Sequence, residues 1–345
     1  MNPPVLLFSS LSAKTALYRA VLSDARRFHP QARVIGADCD AAAPARHHVE
    51  EFLLLPRLDE VSPEAFATLC ADHGVTHLVP TRDGELRFLA EAAPHLSAEG
   101  IHALVTAPKA LEACLDKLLF AQRLGERGLS AIPTSTNLHD LTLHSRAPNE
   151  KLLTVKERFG SGSHSIGLRL TPDEAATHAA NLRQPIFQPH VAGQEFSAET
   201  WLDSTSRPRG AVLRWREKVI DGESHLTTTF RHSAWESLVL DAAKNLRLTG
   251  HALAQVIVDE DERPHLVEIN ARLGGASPLS LHLGLHSIEW FLQETAADIP
   301  TSDRPPPFFR PEPGHRLLKD SDGVRFQAPG KATSRVPPRA RKKAR

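Results

Sequence analysis

In the last third of the chain, Glu268, Asn270 and Arg272 alternate along the segment Leu266-Val267-Glu268-Ile269-Asn270-Ala271-Arg272. Residues two apart on a strand project from the same face, so a carboxylate, a carboxamide and a guanidinium would share one surface. Gln255 lies upstream, on the first arm of a hairpin turning at Glu260-Asp261-Glu262, and can face them. Three oxygen donors on one sheet face suit Mg2+, which shares its coordination with substrate phosphates; Mn2+ takes similar ligands. Arg272 is placed to hold a phosphoryl group in transfer. The same residues also fit a solvated strand with polar alternation.

A second set lies upstream. Lys156 ends an apolar run and leads into Gly160-Ser161-Gly162-Ser163. The backbone N–H groups of such a loop can close over phosphates while the lysine supplies a point charge. It lacks the G-K-[ST] of a P-loop, and a plain Gly/Ser hairpin would read the same way. Next, Phe187-Gln188-Pro189-His190 and Gly193-Gln194-Glu195 read as strand, glycine bend and strand. The backbone of such a hinge could meet an adenine edge, with Glu195 toward the ribose hydroxyls, although strand–Gly–strand is a common pattern. Pro189 has no N–H to offer, so a donor there must come from a neighbour. Arg214, Arg216 and Lys218 alternate on a further strand. They bind an acceptor carboxylate, or they are the solvated face of an edge strand.

Several chemistries are disfavoured. The first strand–helix turn, Ser9-Ser10-Leu11-Ser12-Ala13-Lys14, contains no glycine, so a dinucleotide's pyrophosphate has no close backbone approach there. The three cysteines (Cys39, Cys70, Cys114) form no CxxC pair, and no G-x-S-x-G elbow occurs, which argues against a disulfide scaffold, a zinc ribbon or a serine hydrolase. The 19 histidines include no HExxH; His164, in the Gly/Ser loop, is the one suited to phosphate contact.

The elements that must position these groups fall into two units. Up to about residue 109, short apolar runs (Val5–Phe8, Arg33–Ala37, Glu51–Leu55, Thr76–Val79, His102–Val105) alternate with helical stretches at Thr15–Phe28, after Ser62-Pro63-Glu64 and near Gly84–Ala93. That is the pattern of a parallel α/β sheet covered on both faces. Residues 110–298 open with a helix over Leu111–Gly128. Closely spaced strands follow, with helices started by Thr171-Pro172-Asp173-Glu174 and by Ser233-x-x-Glu236. This second unit is α+β. Residues 299–330 are proline-rich, with an apolar patch at Phe308, Phe309, Leu317 and Leu318, and 331–345 are expected to be disordered.

In this order and spacing, these features resemble the ATP-grasp superfamily, in particular the large chain of carbamoyl-phosphate synthase and its stand-alone relatives. The matching pieces are Leu115-Asp116-Lys117-x-x-Phe120, Gly128 to Pro133, Val155-Lys156 with the glycine loop, Gly193 to Ser197, and Glu268 to Gly275 followed by Pro278-Leu279-Ser280-Leu281. In the first unit, Pro80-Thr81-Arg82-Asp83-Gly84-Glu85-Leu86 is similar to that family's P-T-x-D-x-E-L segment. The resemblance implies a parallel pre-ATP-grasp domain followed by two ATP-grasp subdomains. It implies that Lys117, Lys156 and the Gly160–Ser163 loop contact ATP phosphates, that the Phe187–His190 backbone, Gln188 and His190 included, meets adenine, and that Glu195 meets ribose. Gln255, Glu268 and Asn270 would hold Mg2+, and Arg272 the γ-phosphoryl. The implied reaction is ATP-dependent activation of a small carboxylate as an acyl phosphate, then attack by an amine to form a C–N bond. A catalytically silent ATP-binding regulatory or interaction protein is the alternative. Phosphorylation of bicarbonate or carbamate in the carbamoyl-phosphate manner is disfavoured, because that chemistry normally uses two such units.

The 41 basic and 41 acidic residues sum to zero, but they are unevenly placed. Residues 331–345 hold seven bases and no acid, leaving 34 bases against 41 acids, or −7, in residues 1–330. An acidic body must attract a nucleotide locally, through Lys117, Lys156, Arg272 and a metal. The tail reads as a solvated terminus or as an interaction arm; without interleaved aromatics it makes a poor nucleic-acid binder. No membrane span or leader is evident, so a cytoplasmic enzyme is expected, for which a homodimer would be ordinary.

Overall fold

The computed structural model describes residues 2–142, 152–160, 165–296, 307–320 and 323–330. The Ser161-Gly162-Ser163 part of the glycine loop, His164 and the basic tail therefore lie outside the described residues. The first unit contains β1 (Val5–Phe8), α1 (Thr15–Phe28), β2 (Arg33–Asp38), β3 (Glu51–Leu54), α2 (Pro63–Asp72), β4 (His77–Val79), α3 (Asp83–Ala98) and β5 (His102–Ala103). All strand pairs are parallel, in the order β3-β2-β1-β4-β5. Strand alternation explains why helices cover both faces. Leu6, Phe8 and Val34 enter one core with Leu17 and Val21 of α1, whereas Leu7 and Ile35 enter another with Phe66 of α2 and Leu89 of α3. Ser62 caps α2 as expected, accepting from Ala65 N, with Pro63 in the first turn. Helix α3 runs past its expected end and through Pro94.

The expected helix over Leu111–Gly128 is two helices, α4 (Pro108–Leu115) and α5 (Lys117–Gly125), because Asp116 breaks the run. Its carboxylate accepts from Leu118 N and Leu119 N and so starts α5 afresh. Then come α6 (Leu138–Thr142), β6 (Leu153–Glu157), β7 (Gly167–Leu170), α7 (Pro172–Ala179) and β8 (Pro185–Pro189). The three strands form a small antiparallel sheet in the order β7-β6-β8. Thr171 and Glu174 form the expected capping box of α7.

A larger antiparallel sheet follows: β9 (Gly193–Leu202), β10 (Pro208–Ile220), β11 (Glu223–Phe230), then α8 (Ser233–Asn245), β12 (Gly250–Asp259) and β13 (Pro264–Asn270). The cap of α8 is His232, whose ring accepts from Trp235 N, so Ser233 is already helical. After α9 (Ser277–Leu283) and α10 (Ser287–Thr295), the proline-rich segment supplies two further strands, β14 (Arg316–Asp320) and β15 (Gly323–Gln327). The resulting sheet has seven strands in the order β13-β12-β9-β10-β11-β14-β15. The apolar patch serves that segment's docking: Leu317 is fully buried, and Phe309 pairs with Gly210, donating to Arg209 O and accepting from Ala211 N.

The seven-stranded sheet has two unlike faces. Phe196 and Ala198 on β9, Leu213 on β10 and Ala254 and Val256 on β12 pack under α8 against Val239 and Ala242. The residues between them, Glu195, Ser197, Glu199, Arg214, Arg216 and Gln255, must then occupy the opposite face. Among the described residues, no helix is long and apolar enough to cross a membrane.

Candidate active site

The polar face of the large sheet, the small sheet and the edge of the first unit enclose a cavity of about 640 Å³. Of the sequence-predicted site residues that are described, Lys117, Lys156, Gly160, Gln188, His190, Glu195, Arg214, Arg216, Gln255, Glu268, Asn270 and Arg272 line it, whereas Lys218 is exposed elsewhere on β10.

Register explains how one wall arises. Arg214 on β10 stands opposite Ser197 on β9, Ser197 opposite Gln255 on β12, and Gln255 opposite Glu268 on β13. These four side chains therefore form one row across four strands. Asn270 is two residues beyond Glu268, and its Nδ2 donates to Glu268 Oε1 at 3.1 Å. One carboxylate flanked by two carboxamides is an oxygen-only donor set of the kind Mg2+ takes, with coordination left for phosphates. The chemistry of these donors fits the metal.

The opposite wall is cationic. Asp116 binds Arg158 through both carboxylate oxygens, at 2.8 and 2.6 Å. This ties the start of α5 to the end of β6 and sets Lys117 beside the glycine loop, where its Nζ donates to Gly160 O at 2.6 Å. Lys156 is buried in the small sheet, and desolvation lowers its pKa to about 8 despite the attraction of Glu268. A buried ammonium without a bonded anion is costly, so this group is set to receive one.

The hinge differs from expectation in its backbone. Phe187 exchanges both its hydrogen bonds with Ser135, and His190 N donates to Leu152 O, so these three groups are already engaged. Pro189 and Val191 also line the cavity. Gln188 is buried, with its side chain donating to Thr134 Oγ1. The bend itself requires glycine, because a Cβ on Gly193 would stand 2.0 Å from Val258 O.

The edge-strand reading of Arg214 and Arg216 fails, since β10 is an interior strand. Arg214 is fully buried and bonded to Glu199, while Arg216 Nε lies 3.3 Å from Glu195 Oε1. Desolvation raises the pKa of Glu195 and lowers that of Arg216, each opposed by the other's charge. Arg272 is not open to the cavity alone: its Nε and Nη2 donate to the two carboxylate oxygens of Asp83, from the first unit.

Two family matches cover most of this chain. Residues 6–104 match the PylC-like N-terminal domain, and residues 114–276 match the ATP-grasp domain. The chain belongs to the ATP-grasp superfamily.

Among solved structures, this ATP-grasp chain is similar to the biotin carboxylase domain of Hydrogenobacter thermophilus 2-oxoglutarate carboxylase, in complex with MgADP and bicarbonate. The TM-score is 0.70 at 14% identity, over 91% of this chain and 74% of that one. Staphylococcus aureus N5-carboxyaminoimidazole synthetase complexed with ADP gives 0.68 at 12% identity, over 92% and 82% of the two chains. Bacillus licheniformis L-amino acid ligase gives 0.66 at 18% identity, over 92% and 79%. At these identities the likeness is one of fold. No curated protein sequence matches the chain.

Some ATP-grasp cavity residues carried no sequence signal for a site role. Lys14 lines the cavity, with Nζ donating to Ser10 O and its pKa lowered chiefly by burial. Asp83 and Glu223 join it there. Lys14 and Asp83 lie in segments that sequence marks only as a glycine-free turn and as a family motif, and their approach to Arg272 depends on how the two units pack.

Proposed function

We propose that this protein is an ATP-dependent carboxylate–amine ligase that forms a C–N bond through an acyl phosphate, with Mg-ATP between the small and large sheets. The observation that carries this reading is one cavity flanked by Lys117 and Lys156 on one side and by Gln255, Glu268 and Asn270 on the other. Lysines neutralise phosphates, oxygen donors hold a metal, and the gap between them is where a triphosphate must lie. Backbone groups of Pro189 and Val191, which line the cavity, would meet the adenine edge, with Glu195 nearer the ribose.

When bound, Mg2+ would neutralise charge on the β- and γ-phosphoryl oxygens. The chain's own residues would do the rest. Lys156 binds phosphate, Arg272 stabilises charge on the transferring group, and Arg214 and Arg216 stand on the wall available to the acid. No protein nucleophile is needed, because alignment of the carboxylate oxygen with the γ-phosphorus suffices. The solved relatives support this reading by what they were crystallised with, ADP in one case and MgADP and bicarbonate in another. A cytoplasmic enzyme, dimeric like the carboxylase domain, is compatible with them.

The test is a panel of small acids, bicarbonate included, crossed with amines and followed by ADP release and product mass. ADP formation that requires both an acid and an amine supports the ligase. Nucleotide binding without ADP formation on any pair would instead identify a silent ATP-binding protein.

A further inference from the structure

Behind the cavity wall lies a buried polar chain that the family resemblance does not mention. Arg214 is 2% exposed, and its Nε and Nη2 both donate to Glu199 Oε1, at 3.2 and 2.7 Å. Glu199 is fully buried, and its Oε2 lies 3.3 Å from His251 Nε2, a close approach in which neither atom completes a hydrogen bond among the described residues. His251 Nδ1 in turn lies 2.8 Å from Ser287 Oγ, at the start of α10. Arg214 is thus gripped from behind on one edge of its guanidinium. The remaining nitrogen, Nη1, is buried and has no hydrogen-bond partner among the described residues.

A buried guanidinium N–H left unpaired costs free energy. A pair serving stability alone would use the second Glu199 oxygen on it, yet that oxygen is turned to His251. Arg214 also lines the cavity and belongs to the row that ends in Gln255 and Glu268. We propose that Arg214 Nη1 is an oxyanion-binding donor of this site, aimed by Glu199 and His251, which act as positioning residues without touching substrate. The proposal rests on the ATP-grasp reading of the cavity. The oxyanion it receives is an oxygen of the γ-phosphoryl group or of the acid's carboxylate, which share this chemistry.

Binding measurements distinguish the two sources without turnover. Titrate Arg214→Lys and Glu199→Gln with Mg-ADP, with Mg-ATPγS, and with acetate in the presence of saturating Mg-ADP. Lysine keeps the charge but loses the planar fork and Nη1. The expected result is a selective loss of about ten- to a hundredfold, the worth of one charge-assisted hydrogen bond. Loss confined to Mg-ATPγS assigns the γ-phosphoryl, and loss confined to acetate assigns the carboxylate. Glu199→Gln must lose the same ligand. If the single variants do not fold, the charge-neutral pair Glu199→Gln with Arg214→Gln replaces them and must show the same selective loss. Unchanged affinities overturn the proposal, whether or not melting shifts, and so does an equal loss of all three ligands. Wild-type protein that binds Mg-ADP but makes no product would overturn the ligase reading and leave this result standing.

Discussion

Asp83 at the start of α3 and Arg272, two residues beyond β13, are joined by a two-point ion pair, with Arg272 Nε 2.8 Å from Asp83 Oδ1. They are 189 residues apart in the sequence, and both side chains are mostly buried. The residue proposed to stabilise the transferring phosphoryl group is therefore held by a carboxylate.

Asp83→Asn should act in opposite directions on stability and binding. Melting in the absence of nucleotide should fall, by about 2 kcal/mol, less than at a fully buried pair because both side chains keep some solvent. Affinity for Mg-ATPγS should rise by roughly three- to tenfold, because Arg272 no longer has to leave a competing carboxylate. Calorimetry on both proteins reads the two effects, and an unchanged Mg-ATPγS affinity contradicts the competition.

Lys156→Met should separate stability from function. The unfolded chain keeps this proton up to about 10.5, the folded one only to about 8. The buried ammonium therefore costs stability below pH 8, and that cost disappears as pH rises toward 10.5. At pH 7 the variant without nucleotide should be more stable by about 3 kcal/mol, the worth of a shift of that size. It should also lose the gain in melting temperature that Mg-ADP confers on the wild type. A less stable variant would show that burial of the lysine carries no such cost.

Much of this arrangement was legible in the sequence, because it depends on short-range periodicity. Glu268 and Asn270 share a face through strand alternation, and Gln255 reaches them through a hairpin with an acidic turn. What was not legible depends on packing or on a single side chain. Asp116 splits a helix that periodicity alone runs straight through. Arg214 and Arg216 sit on an interior strand because β10 pairs with β9 on one side and with β11 on the other, a pairing that alternation along one strand does not reveal. Ser135, far upstream, takes up the backbone groups of Phe187 in the expected hinge, a pairing that no local pattern signals.

Glu268→Gln should abolish the magnesium dependence of nucleotide binding. In the wild type, chelation of the metal should shrink the stabilisation given by ADP, and in the variant it should change nothing. Turnover should drop by about a hundredfold or more, as when charge stabilisation of a transition state is removed. Melting curves with ADP, with and without magnesium, measure the first effect.

Asp116→Ala should cost about 1–2 kcal/mol as a lost helix cap and also release Arg158. Lys117 then loses its fixed relation to Gly160, so the Michaelis constant for ATP should rise more than turnover falls. Steady-state kinetics with varied ATP distinguish this from a defect in chemistry.

The central claim is that the γ-phosphoryl group of ATP is transferred to a carboxylate oxygen. With the acid identified by the panel, its carboxylate is labelled with heavy oxygen and the phosphate released during amide formation is weighed. The account predicts one labelled oxygen in each phosphate, carried over when the acyl phosphate is cleaved. Unlabelled phosphate, or release of AMP and pyrophosphate in its place, would contradict it.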